Sequence, residues 1–429
     1  MITRKKFNIG EGINFTALTD EKFKTSVIRI YFIFPIDGDT ASADAFPAYL
    51  FEDTNSTYPD MTSFNTRLLE LYGANMETVN FRMGDHNVLS FRTGGISDKY
   101  ALEGEKISVE CFKLVSECLL SPVINDGKFS EKIFEMKKRE FSDAIAAEIN
   151  DKRTYAMRKA NRIIFRGEPS GNPFLGDLSQ VEKLNNDNVM ASYRKILECS
   201  HIEIFFAGNT LEDELLDAVK SAFSKLPRKN VTNYIGIPSP LKEKTEYAEE
   251  SLEVVQSKMV MAFKYGNKFR DREEVIKLFC IIFGSSPFSL LFKNVREKLS
   301  LCYYCTGTPV YSKSVIVVDS GLELENAEKA QEEILKQLDV MKNGSFDDDL
   351  LDQAVMAQNT ALKAVGDFPS SVCSWYFDRF EKETPDTPES FFEKINKVTK
   401  EEIAEFARSL ELDTVFLLKG QSSKNDAEE

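Results

Sequence analysis

Histidine is nearly absent from this sequence of 429 residues: it has two, His86 and His201, far apart in the chain. No one segment can therefore present a pair of imidazoles to a metal ion. Apolar runs are short as well. None approaches the roughly 18–20 residues that cross a bilayer as a helix, and the basic opening MITRKKFNIGEGINF lacks the apolar stretch of a secretory leader. Positive charge is in deficit, with 54 Lys and Arg against 69 Asp and Glu, a net charge of −15 at pH 7. Such a surface repels phosphate backbones and anionic lipid, which excludes nucleic acid and the membrane as partners. Lining a cavity, the same charge would favour basic, extended peptides; spread over the surface it serves solubility. The cysteines number seven, an odd count that closes no disulfide framework and fits reduced thiols in a cytoplasmic protein.

What is present suits a globular protein of two domains, each able to bury a core: 42% of residues are apolar and 29% charged. Lys24 to Pro35 is rich in β-branched and aromatic residues and reads as a strand. Ala43 to Asp53 is apolar enough for a buried helix. Thr57 to Gly73 is a second helix, with Thr62 or Ser63 as its cap and Gly73 as its stop. Gly84-Asp85 marks a hairpin between strands at 76–83 and 87–93. Helical patterns follow at 101–120, 129–165, 189–197 and 211–226, with a strand at His201–Ala207 between the last two.

Pro227, Pro238 and Pro240 punctuate a polar stretch that reads as a linker, residues 229–245, between domains at 1–228 and 246–429. The second part repeats the plan: strands at 254–265, 308–324 and 414–420, and helices at 272–283, 327–341, 347–365, 389–395 and 400–410. In both parts a polar run enters a helix, then a strand, then a glycine (Gly208, Gly420). Val189 and Ile403 are separated by 403 − 189 = 214 positions, about half the chain. Duplication is the economical explanation. The fold class is α+β: two homologous domains, each a mostly antiparallel sheet with helices on one face. The final residues, SSKNDAEE, have the composition of a disordered tail.

One stretch in the second part is distinctive. A turn with Gly284, Ser285 and Ser286 leads through Phe288, Leu290, Leu291 and Phe292 to Arg296-Glu297-Lys298-Leu299-Ser300-Leu301-Cys302-Tyr303. On a continuous helix Arg296 and Tyr303, seven apart, would share a face. The turn lacks the lysine and spacing of a phosphate-binding loop. Cys302-Tyr303-Tyr304-Cys305 is formally a C-x-x-C, but without a helix N-terminus or a second such pair it reads as buried strand.

The stretch resembles the arginine–tyrosine motif of the insulinase/mitochondrial-processing-peptidase (M16) family, with Ser300 where that family prefers glycine. The resemblance extends to the first part. There Thr57 to Gly73 matches the family helix ending in Leu-Tyr-Gly-Ala, and Asp85-His86 its Asp-His turn. It implies a metallohydrolase fold of the type shared by LuxS and the processing peptidases. It also places the family's His-x-x-Glu-His zinc motif at Tyr49-Leu50-Phe51-Glu52-Asp53. Glu52 keeps the base position, while Tyr49 and Asp53 replace the histidines. The third ligand position falls on the next long helix, at Glu135 or alternatively Glu131. Without the metal, Glu52 faces ordinary water, whose pKa zinc would otherwise bring from 15.7 to about 7.

The resemblance implies that Arg296 and Tyr303 donate hydrogen bonds to a substrate carbonyl near the scissile bond. It further implies that this chain is the non-catalytic, substrate-binding subunit of a heterodimeric zinc peptidase, with zinc in a His-x-x-Glu-His paralogue and an unfolded peptide as substrate. This chain itself would bind no cofactor. The other reading is a catalytically inert peptide-binding or complex-assembly protein on the same fold.

Overall fold

The computed structural model describes residues 2–420; the SSKNDAEE tail lies outside them. The chain forms two compact units, and neither is a single run of sequence. The first comprises residues 1–146, 172–235 and 363–385; the second comprises 147–171, 236–362 and 386–429. The proline-marked linker is thus divided between Ile235 and Gly236, and a segment from each half of the chain is assigned to the other unit.

The strands, in chain order, are β1 (Thr3–Gly10), β2 (Ile13–Thr19), β3 (Thr25–Pro35), β4 (Asn75–Met83) and β5 (His86–Ile96). A small hairpin, β6 (Ile124–Asn125) and β7 (Lys128–Phe129), precedes β8 (His201–Gly208). The second unit holds β9 (Glu246–Leu252), β10 (Ser257–Lys264), β11 (Tyr304–Val310), β12 (Val315–Leu322) and β13 (Glu411–Gly420). The first sheet runs β1-β2-β8-β3-β5-β4 and the second β11-β12-β10-β13-β9. Reversed, the second order superposes on the first strand for strand: β9-β13-β10-β12-β11 corresponds to β2-β8-β3-β5-β4. The one parallel pairing in each sheet, β2 with β8 and β9 with β13, falls at the equivalent place. The duplication legible in sequence is therefore a duplication of topology, with β1 added to the first copy. The β1, β2 and β9 segments carry too few adjacent apolar residues to stand out in sequence.

One face of the first sheet presents Phe15, Ile28, Ile30, Phe32, Phe91 and Ile204 to a layer of helices that includes Ile107–Leu120 and Asn186–Cys199. The alternation of strand side chains sends Leu18, Tyr31, Ile33, Val88 and Phe205 to the opposite face. There they meet Val372, Tyr376, Phe377 and Phe380 from the helix Pro369–Phe377 and the turn after it. Tyr31 and Phe377 stack with ring centroids 3.7 Å apart. In the second unit the helix Lys152–Ile164 does the same work, burying Ala156, Ala160 and Ile164 against Val260, Ala262, Val317 and Phe416. Each sheet thus carries its main helical layer on one face and a single returning helix on the other.

Polar groups fix the returning helix of the second unit. Lys264 is buried in β10; its ammonium lies 3.1 Å from Asp413 and donates to the carbonyls of Pro240 (2.7 Å) and Ile164 (3.2 Å). Burial lowers its pKa and Asp413 opposes the shift.

Several boundaries differ from the sequence reading for identifiable reasons. The long helical pattern at 129–165 is two helices, Glu131–Ala147 and Lys152–Ile164. A 3-10 turn at Glu148–Asn150 separates them, and Asp151 starts the second, its carboxylate accepting from the N–H groups of Arg153 and Thr154. The helix Met61–Glu70 is capped by Asp60, not by Thr62 or Ser63, whose N–H groups it accepts. The apolar segment 43–53 is broken at Pro47 into Ala41–Ala45 and Pro47–Leu50, since proline has no N–H to carry the helix through.

Candidate functional site

In the first unit the segment that replaces the zinc motif follows β3. Its short helix ends at Leu50, so Glu52 and Asp53 lie in the bend beyond it rather than on a helical face. Tyr49 is half-buried, its ring 4.8 Å from that of Phe141 on the helix Glu131–Ala147. That helix places Lys137, only 2% exposed, among the carboxylates. The ammonium lies 3.0 Å from Asp53 Oδ2, 3.2 Å from Glu140 Oε2 and 3.5 Å from Glu52 Oε2. Burial alone would lower the Lys137 pKa. The hydrogen bond and charge of Asp53, then those of Glu140, outweigh it and hold the lysine above its ordinary value.

Glu135 is exposed and is not the residue of this helix that reaches Glu52 and Asp53. Glu131, the alternative, is also exposed and accepts from Asn186. The residue that faces the degenerate motif is Lys137. Among the described residues no group of three His, Cys, Asp or Glu side chains could hold a metal ion. The carboxylates that remain converge on an ammonium, so the residues present do not fit zinc. His86 and His201 are both engaged elsewhere. His86 packs 4.9 Å from the Tyr234 ring, and His201 Nε2 lies 2.8 Å from Glu203.

Lys137 had a signal that was available in sequence. It sits between Phe134 and Phe141 on the buried stripe of its helix, and a charged residue on such a stripe requires a buried partner.

In the second unit the helix Glu273–Phe283 ends at Gly284, where the chain passes so close to β11 that a Cβ would lie 2.6 Å from Gly307 N. Only glycine fits. The next helical segment, Leu291–Lys298, is wound as a π-helix, with the Leu299 N–H bonded to the Asn294 carbonyl. Leu291 and Val295 are buried. Arg296 faces outward, its guanidinium carbon 4.6 Å over the Phe292 ring and its Nε 3.7 Å from Glu297.

The helix does not continue to Tyr303. Ser300 turns the backbone through φ +50°, and Tyr303 joins the end of the sheet, its N–H donating to Gly321 O at 2.7 Å. Arg296 and Tyr303 therefore sit on different elements instead of sharing one helical face. Ser300 stands where a left-handed conformation is required, which is the reason glycine suits this position. The Tyr303 hydroxyl donates to Glu323 Oε1 at 2.6 Å, and that carboxylate raises its pKa, so the phenol stays protonated at neutral pH. Tyr303 is 52% exposed, with Leu299 and Leu324 exposed nearby in sequence to it and to Glu323.

Below this edge lies an arrangement that sequence did not reveal. Arg153 forms a bidentate pair with Asp319, 2.5 and 3.1 Å, and covers the Tyr304 ring at 4.6 Å. Gly321 makes room for that ring: a Cβ there would come within 2.4 Å of Tyr304 Cε1. Cys302 and Cys305 are both buried; Cys305 lies in β11 and Cys302 in the bend before it.

Residues 183–358 match the family model described as the peptidase M16 inactive domain. The chain is 23% identical, over 95% of its length and 96% of the relative's, to the probable inactive metalloprotease YmfF of Bacillus subtilis. The chain is thus similar to inactive M16 peptidase homologues across nearly its whole length. Its fold matches a conserved protein from Enterococcus faecalis with a TM-score of 0.88 at 25% identity, over 98% of this chain and 100% of that one. A peptidase M16 inactive domain from Pseudomonas fluorescens matches with a TM-score of 0.79 at 14% identity, over 98% of each. The alignment with YmfF runs across nearly all of both chains, and in this chain Lys137 pairs with Glu52 and Asp53 of the Tyr49–Asp53 segment.

Proposed function

We propose that this M16 homologue is the substrate-binding subunit of a two-chain zinc peptidase. The observation that carries the reading is a contrast between its donors and its carboxylates. Arg296 presents a guanidinium outward from a segment held by the Gly284 turn, whereas Glu52 and Asp53 are drawn toward Lys137 and away from base catalysis. Arginine and a protonated phenol are the donors that stabilise a developing oxyanion. Zinc and the catalytic base would come from a paralogue with an intact His-x-x-Glu-His motif. The substrate would be an unfolded peptide in an extended form. The β4 edge suits such a ligand: it is the outermost strand of its sheet, its exposure alternates, and Asn80 of β4 donates to Ala45 beside the degenerate motif. A cytoplasmic location belongs to the same proposal; among the described residues no helix is long and apolar enough to cross a membrane.

The test is co-purification with the zinc-motif paralogue, followed by assay of each chain alone and of the mixture on a quenched-fluorescence peptide library. Cleavage by the mixture alone, lowered about 100- to 1,000-fold in kcat by Arg296→Ala, is the expected result. Full activity from the paralogue alone would overturn it. One observation favours the second reading, an inert peptide-binding or assembly protein: the single Tyr303 hydroxyl proton is already committed to Glu323. A substrate carbonyl has to displace that carboxylate. In the split-site reading Glu323→Gln, a weaker acceptor, raises the activity of the mixture; in the second reading it changes nothing.

A further inference from the structure

We infer that Lys137 is a built-in replacement for a metal ion, so that this half of the molecule excludes divalent cations actively and not only through the loss of two histidines. Three carboxylates, Glu52, Asp53 and Glu140, approach one ammonium at 3.0–3.5 Å. The ammonium, a donor with no acceptor, donates to Asp53 Oδ2 at 3.0 Å and has Glu140 and Glu52 within ion-pair distance. The group cannot swing aside. It shares the buried stripe of its helix with Phe134 and Phe141, which are 2% and 0% exposed, and the lysine itself is 2% exposed. A divalent ion entering here would be a second buried cation within contact distance of the first, and the carboxylates would have to leave one to serve the other. Glu52 and Glu140, each about half exposed, keep the rest of their charge in water. The position is thus occupied by an internal cation that needs no supply of metal, and this holds whether or not the chain binds peptide.

The consequence is specific. Restoring the histidines by Tyr49→His with Asp53→His does not make a zinc site while Lys137 remains. Adding Lys137→Glu removes the cation and puts a carboxylate on the helix that faces the motif. Zinc binding is read by competition against a chromophoric chelator, and the ligand set by the visible spectrum of the cobalt-substituted protein. The wild type and the double-histidine variant are expected to lose the competition. The triple variant is expected to bind zinc at least about 100-fold more tightly than the double variant. Equal zinc affinity in the double and triple variants would overturn the inference.

A second measurement avoids any question of folding. In the wild-type protein, acylation by an amine-directed reagent at pH 8.5 should leave Lys137 unmodified while exposed lysines react. Labelling of Lys137 at the rate of an exposed lysine would show that its ammonium does not occupy the site, and would equally overturn it.

Discussion

The two halves of this chain share a strand order and a helical plan, yet each handles charge differently at the place where its chemistry should lie. In the first half the charges converge on one another: Lys137 is buried and three carboxylates surround it. In the second half the polar groups point outward. Arg296 rests on the Phe292 ring and Tyr303 is half exposed. A duplicated fold has one half whose charged cluster is part of its stability, and one half whose donors cost the fold little. The first cannot change without unfolding consequences; the second can.

That difference orders the effects of substitution. Lys137→Ala leaves three carboxylates facing one another without a counter-ion and should cost about 3 kcal/mol, the lower end for a broken buried pair because two partners are partly solvated; urea unfolding measures it. Because the lysine's pKa is raised on folding, its contribution is fully present below the unfolded value, about 10.4, and is lost only as pH rises through the higher folded value. The stability gap between wild type and Lys137→Ala should therefore stay constant from pH 6 to pH 9.

Gly321→Ala tests whether the second half is really undemanding beneath its exposed edge. The added methyl meets the Tyr304 ring, at a cost of about 1–3 kcal/mol by thermal unfolding. Ser300→Gly should stabilise by about 0.5–1 kcal/mol, relief of the left-handed strain exceeding the entropy that glycine adds to the unfolded chain. Arg296→Ala should change stability by less than about 0.5 kcal/mol, and a larger loss would mean that the arginine is part of the scaffold and the contrast between the halves is false.

The α+β class, the duplication and the family were legible in sequence because they rest on long patterns: alternating strands, the repeated helix–strand–glycine endings, and the Gly284-to-Tyr303 motif. What was not legible depended on register and long-range contact. Glu135 and Lys137 differ by two positions, some 200° around a helix, and nothing local says which one faces Asp53. Arg296 and Tyr303 were separated by a backbone reversal at Ser300, a residue that seldom adopts positive φ. The returning helix Pro369–Phe377 has no clear amphipathic stripe, since its partners lie more than 300 residues earlier on β3.

The exchange of segments between units has a consequence for how the chain is made. The N-terminal sheet can form its strands once Gly208 has been synthesised. Its second face, with Tyr31, Val88 and Phe205, stays uncovered until Phe377 and Phe380 leave the ribosome. At about 5–20 residues per second that is an interval of roughly 10–30 s in which an aromatic surface is open to other nascent chains. Truncation of the chain before residue 369 should yield an insoluble product.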